Sequence, residues 1–204
     1  MVKATKDNRP FSSGVFDLEE FNIYTKVIDL PLDGIPTYLE EGINGVCTGG
    51  SALFNVFSNK RRVVKNDLIT IFPYQLASIT EISTDFAVIF FKVPKKLFMD
   101  TINGLGRLTL DYFFYMRKYY SSPLSEEEYK RFVHFCHILS CRVDLSCAFL
   151  RRESVMYLLR VYYWDLYVGY KSNPKAMASV KFVRKEKQVF EFFLFECDVV
   201  CEFT

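Results

Sequence analysis

Few side chains in this sequence have the types and spacing that chemistry requires. Its two histidines, His134 and His137, fall with Cys141 at positions i, i+3 and i+7, so a helix through them carries two imidazoles and a thiol on one face. Such a face could ligate a metal across an interface between two chains. No carboxylate or second pair completes the set, so ordinary packing or solvation accounts for the three residues. The six cysteines (Cys47, Cys136, Cys141, Cys147, Cys197 and Cys201) match no zinc spacing. The N-terminus, Met1-Val2-Lys3-Ala4-Thr5-Lys6-Asp7, has no apolar signal-peptide core behind it. The cysteines are therefore expected as reduced, buried thiols of a cytoplasmic protein.

Nucleophilic catalysis has no better footing. There is no Gly-x-Ser-x-Gly elbow, and Gly42, Gly45, Gly49 and Gly50 form neither a Gly-x-Gly-x-x-Gly nor a Walker loop. The adjacent acids Glu40 and Glu41 point apart on a strand, while Glu126 to Glu128 suit the start of a helix. The expectation is a protein that is not an enzyme and uses no cofactor and no metal.

Composition narrows the class further. Half of the 204 residues are hydrophobic, with 21 Phe and 13 Tyr, enough to bury a large core. A net charge of +2 gives no electrostatic case for a chain that coats nucleic acid. The most apolar helical stretch, Val155 to Tyr170, is interrupted by Arg160 and Asp165 and is too short to span a bilayer, so no membrane association is expected.

The elements that must position these residues change period near Pro94. Residues 1–20 are polar and turn-rich, an expected flexible arm. From 21 to 94, short alternating runs predict seven or eight strands: Phe21 to Leu30, around Tyr38, around Val46, Ser51 to Ser58, from Val63, Leu68 to Phe72, Gln75 to Ile82, and Phe86 to Val93. Gly42, Gly45, Gly49 and Gly50 are read as turn markers, and Asn59-Lys60-Arg61-Arg62 as a solvated hairpin tip. This cadence predicts a small antiparallel barrel. A barrel suggests a cupin, but metal-dependent cupins place His-x-His on a barrel strand, and this β segment has no histidine.

From 95 to 204 the period becomes helical. Pro94 opens a short helix, and Leu108, Tyr112, Tyr115, Met116 and Tyr119 form an aromatic stripe. Ser125 and Glu128 have capping-box spacing, with Leu124 placed to staple onto Tyr129. The helix that follows and a second one, ended by Asn173-Pro174, form a helical hairpin. A third helix is expected over about Ser179 to Cys201, with Lys181, Arg184, Lys185 and Lys187 on a solvated face. The fold class is thus α+β, a small cupin-like barrel followed by a helical hairpin or bundle.

Motif order carries a resemblance. Cys47-Thr48-Gly49-Gly50-Ser51-Ala52-Leu53-Phe54-Asn55-Val56 and Val64-Lys65-Asn66-Asp67-Leu68-Ile69-Thr70-Ile71-Phe72-Pro73 look like cupin segments. Thr84-Asp85-Phe86 through Pro94-Lys95-Lys96-Leu97-Phe98 is similar to the exit from strand to helix. Followed by Leu124-Ser125-Glu126-Glu127-Glu128-Tyr129, Arg151-Arg152-Glu153 and Tyr163-Trp164-Asp165-Leu166-Tyr167, this order resembles the N-terminal half of AraC-family transcription regulators, particularly those of Bacteroides-like bacteria. The resemblance covers about residues 20–200. It implies a barrel that senses a small effector, helices that form a homodimer, and DNA bound only through a C-terminal helix-turn-helix domain. Phe190-Glu191-Phe192-Phe193-Leu194-Phe195-Glu196 resembles the lead into that domain, and no helix-turn-helix pair is expected within the few residues after it.

Alternation on the strands offers Tyr24, Tyr38, Phe54, Phe72 and Phe90 as ligand-contacting residues, with Glu40 or Glu81 as polar anchor, although period two does not say which face is inside. The two hairpin helices are apolar around more of their circumference than one small barrel covers. Phe132, Cys136, Leu139, Val155, Leu158, Leu159 and Tyr162 are accordingly expected at a dimer interface. The alternatives are a stand-alone cupin-like interaction protein and a metal-independent cupin enzyme.

Overall fold

The computed structural model describes residues 21–106 and 108–173; the expected arm, the helix over Ser179 to Cys201 and its basic face lie outside the described residues. Within them the chain is α+β, with two antiparallel sheets and four α-helices. One sheet has the order β1 (Ile23–Tyr24), β8 (Ala87–Pro94), β3 (Glu41–Gly49), β6 (Asp67–Ile71), β9 (Ser121–Pro123). The other runs β2 (Thr37–Tyr38), β7 (Leu76–Thr80), β4 (Ser51–Val56), β5 (Asn59–Val64). The helices are α1 (Lys95–Asn103), α2 (Leu110–Lys118), α3 (Glu126–Val143) and α4 (Ala148–Ser172).

Alternation along the five-stranded sheet divides the interior in two. Ile43, Cys47, Ile69, Ile71, Val88 and Phe90 join Ala52, Phe54, Val56, Val63, Ala77 and Ile79 of the second sheet in one buried cluster. Their neighbours on the opposite face, Val46, Leu68, Phe91 and Val93, join Leu97, Tyr112, Phe132, Leu139, Val155, Leu159 and Tyr163 of the helices in another. The five-stranded sheet is therefore a middle layer, covered by the second sheet on one side and by helices on the other. This accounts for the nearly unbroken burial of β3 and β6.

Several local expectations change in this setting. Gly42 and Gly45 lie inside β3, not at turns. A Cβ on Gly45 would sit 2.5 Å from Phe90 Cβ and 2.7 Å from the Ile89 carbonyl oxygen, so close strand approach is what demands glycine there. Gly50 does mark a turn, with φ of +63° between β3 and β4. The β4–β5 turn falls on Phe57-Ser58, where Phe57 takes a left-handed φ of 52°, and Asn59 to Arg62 form part of edge strand β5. Lysine and arginine on an edge strand discourage pairing with another chain, the same charge pattern a solvated tip would show. The strand expected over Phe21 to Leu30 is confined to β1, and a 3-10 turn occupies Val27–Asp29.

The helical half also returns to the sheets. β9 pairs with β6, and Tyr120 beside it is buried in the inter-sheet cluster, with its hydroxyl within hydrogen-bonding distance of the Phe54 carbonyl at 2.9 Å and the Asn59 carbonyl at 3.0 Å. At α3 the capping box is complete. Ser125 Oγ accepts from the Glu128 N–H at 3.3 Å, and the Glu128 carboxylate accepts from the Ser125 N–H at 2.8 Å. The Ser125 hydroxyl, which donates to the Glu128 carboxylate at 2.7 Å, and the Ser125 N–H together hold the Glu128 carboxyl below its usual range.

Gly45→Ala is expected to destabilise the fold by about 1–3 kcal/mol, because backbone and Phe90 must both move. Urea unfolding of the variant against wild type checks this; an unchanged midpoint would mean that β3 and β8 are not packed at this distance.

Candidate functional site

Charged side chains meet the inter-sheet core at the end of the sandwich where β1, β3 and β8 run together. Tyr24 of β1 stacks on Phe90 of β8, with ring centroids 5.2 Å apart and planes 22° from parallel. Lys92, two residues on and so on the same face, sets its Nζ 4.7 Å from the Tyr24 ring centroid. The same Nζ is 3.3 Å from Glu41 Oε2 on β3, and both side chains are partly buried, at 21% and 24% exposure. Burial alone would lower the Lys92 pKa, but the Glu41 carboxylate and the Tyr24 phenol outweigh it and raise the value. The lysine therefore stays a cation at neutral pH. The arrangement offers fixed charge and an aromatic face for orienting a polar group, and no base poised for proton transfer.

The residues expected to contact a ligand are distributed over three places. Phe54 and Phe90 are buried in the inter-sheet cluster, and Tyr24 packs against it. Phe72 lies across the middle sheet, among Phe98, Tyr112 and Tyr163 at centroid distances of 5.1, 6.1 and 6.0 Å. Tyr38, Glu40 and Glu81 are exposed, and Glu81 is ion-paired with Arg62. Lys92 escaped the sequence reading because a lysine in an apolar strand reads as an outward residue. Its position opposite Ile43, two residues along β3 from Glu41 and on the same face, is the signal that pairs the two charges.

Of the residues expected at a dimer interface, Phe132, Cys136, Leu139, Val155, Leu159 and Tyr162 are buried within the chain's own core, and Leu158 packs against the same cluster. Burial pushes the Cys136 thiol up to about 12, so it stays protonated. The face that α4 leaves open carries Tyr157, Val161, Trp164 and Val168, which are 59%, 57%, 41% and 46% exposed. Their spacing of four, three and four residues is a single apolar stripe along the helix. His134 and His137 sit on α3 with rings 6.5 Å apart, and among the described residues no group of three His, Cys, Asp or Glu side chains is placed to hold a metal ion. Nor is any described helix long and apolar enough to cross a membrane.

Opposite that stripe, α4 is tied to the middle sheet by polar contacts. Asn44 Nδ2 of β3 donates to Tyr163 Oη at 3.2 Å, and Thr70 Oγ1 of β6 lies 3.2 Å from Tyr162 Oη. Burial raises the pKa of both phenols, so they remain neutral donors and acceptors.

No protein-family model and no curated protein sequence matches the chain. Among solved structures it is similar to apo ToxT from Vibrio cholerae, at 10% identity and a TM-score of 0.46, over 76% of this chain and 55% of that one. It is also similar to the AraC-like transcriptional activator CuxR, at 10% identity and a TM-score of 0.33, over 62% of this chain and 43% of that one. A Photorhabdus luminescens protein aligns at 15% identity and a TM-score of 0.27, over 50% of this chain and 100% of that one. The chain spans about half the length of the first two proteins.

Because the Lys92 pKa is raised on folding, its pairing contributes stability that is present below pH 10.5 and is lost as the pH climbs through the raised value. Glu41→Gln is expected to cost about 1 kcal/mol or less at neutral pH, the range for an ion pair that water still reaches. The difference from wild type should vanish in strong alkali. Urea midpoints for the two proteins across that pH range decide it, and a gap that persists in alkali would show that the pair is not what stabilises this end.

Proposed function

We propose that this chain is the regulatory, non-enzymatic module of an AraC-type transcription regulator, which forms a homodimer through α4 and senses a small molecule at the Tyr24–Lys92 end of a cupin-like β body. The motif order described above supports the family reading. The observation that carries the functional one is the open apolar stripe Tyr157, Val161, Trp164 and Val168. Buried by a second copy, these side chains leave water together, whereas an isolated monomer would expose them as a contiguous patch.

The stripe is self-complementary. Large and small residues alternate along it, so two α4 helices packed antiparallel about a two-fold axis between Val161 and Trp164 set Trp164 of each copy against Val161 of the other, and Tyr157 against Val168. Parallel packing would place Trp164 on Trp164 and Val161 on Val161, which fills space less evenly. The reading assigns α4 to association and the Lys92 end to sensing; it gives no described residue a role in DNA contact.

The test is light-scattering mass during size exclusion. Wild type is expected to elute as a dimer, and the double variant Val161→Asp with Trp164→Asp as a folded monomer with unchanged circular dichroism. The charges lie on an exposed face, so they should leave the protomer fold intact. A monomeric wild type at micromolar concentration would sink the dimer reading.

A further inference from the structure

A chain of nearly balanced charge gathers cations at one corner. Residues 57–66 carry Lys60, Arg61, Arg62 and Lys65, residues 112–125 carry Arg117 and Lys118, and neither segment has an aspartate or glutamate. The fold brings the two segments together where the end of α2 meets edge strand β5. Tyr120 Oη donates to the Asn59 carbonyl at 3.0 Å, and Arg61 Nη1 donates to the Ser121 carbonyl at 3.2 Å. The Arg61 guanidinium and the Lys118 ammonium both stand over the Tyr119 ring, 5.2 and 5.5 Å from its centroid. The Arg117 guanidinium lies 3.5 Å from the centroid of Phe57.

This positive charge is ordered but not neutralised. Arg62 is paired with Glu81, whereas among the described residues no carboxylate stands within ion-pairing distance of Lys60, Arg61 or Lys118. The carboxyl end of α2 offers about half a negative charge, which eases the crowding without cancelling it. An aromatic ring fixes a cation and leaves its charge intact. Lys60 and Lys118 are exposed, so the corner can be reached from solvent.

The surroundings narrow what could bind there. Phe57 and Tyr119 are partly buried beneath their cations, so they form no apolar wedge for a bilayer. Tyr120 takes the Asn59 carbonyl at the edge of β5, which closes the strand there to an added peptide strand. Tyr119 is already attended by Tyr115, Arg61 and Lys118, and Phe57 by Arg117, which leaves neither ring to stack on an unpaired base. What remains is a row of phosphates on a helix whose bases are already paired.

We propose that the corner between β5 and the end of α2 is a docking surface for the phosphate backbone of double-helical DNA, engaged by Lys60, Arg61 and Lys118 and blind to base sequence. The phosphate chemistry follows from the corner itself; the choice of DNA over RNA rests on the regulatory reading above.

Fluorescence anisotropy of two end-labelled DNA duplexes of unrelated sequence tests this. Wild type is expected to bind both alike at about 50 mM salt and to lose affinity as salt rises. Lys60→Gln with Lys118→Gln changes only exposed side chains. It should flatten the slope of log affinity against log salt by about 2 and weaken binding about tenfold or more. Lys26→Gln with Lys130→Gln removes the same charge near β1 and α3 and should leave the slope unchanged. Cations elsewhere in the chain contribute equally to every arm. The proposal is overturned if wild type binds neither duplex, or prefers one of them. An unchanged slope in the corner variant, or equal flattening in the control, also overturns it. So does tighter binding to phosphatidylserine vesicles than to duplex. No substitution touches α4, so failure of the dimer reading cannot be mistaken for failure here.

Discussion

Because β3 is covered on both faces, each of its side chains must satisfy one of two different interiors, and the rest of the architecture follows from that constraint. Ile43 and Cys47 face the second sheet, while Asn44 and Val46 face the helices. Gly45 has no side chain because Phe90 of the neighbouring strand occupies the space. A strand in this position cannot turn a mid-strand polar residue outward, so its fully buried amide, Asn44, must be satisfied from α4. The middle sheet thereby separates the Lys92–Glu41 pair from the helices packed on its other face.

α4 is held from two directions. Tyr162 and Tyr163 fix it to β6 and β3, and a pair of arginines fixes it to α1. Arg152 Nη2 donates to Asp100 Oδ2 at 2.6 Å, and Arg160 Nη2 donates to the Asp100 carbonyl at 3.4 Å. Gly104 leaves room for the Arg160 guanidinium, whose nearest atom is 2.5 Å from where a Cβ would stand. Val161 and Trp164 directly flank the two tyrosines in sequence, so the contacts that fix the inner face of the helix also fix the direction of its outer face.

The parts of this fold that are legible in the sequence are those where one local signal has one meaning. Ser125 and Glu128 specify a helix start, and the apolar run from Phe86 to Val93 specifies a strand. Signals with two meanings fail. Gly42 and Gly45 read as turns because glycine serves tight turns and close strand contacts alike, and only Phe90, far along the chain, distinguishes them. Asn59 to Arg62 carries charges that suit a hairpin tip or an edge strand. β9 is three residues ending in proline and has no periodicity to find. The candidate site shares this limit. Alternation groups Phe54 with its neighbours but cannot say that Phe72 lies on the other side of the middle sheet. On α4, apolar residues occur all round the helix, so period alone does not separate the stripe through Val155, Leu159 and Tyr162 from the one through Tyr157, Val161 and Trp164.

The chain has a single tryptophan, and it stands at the centre of the open stripe on α4. Indole emission shifts to shorter wavelength when water is removed from the ring, so the intrinsic fluorescence of this protein reports from one known position. It requires no label and no substitution at the surface being observed. Dilution, added small molecules and changes of salt can all be followed through that one ring, which gives α4 an optical signal that thirteen tyrosines excited at shorter wavelengths cannot imitate.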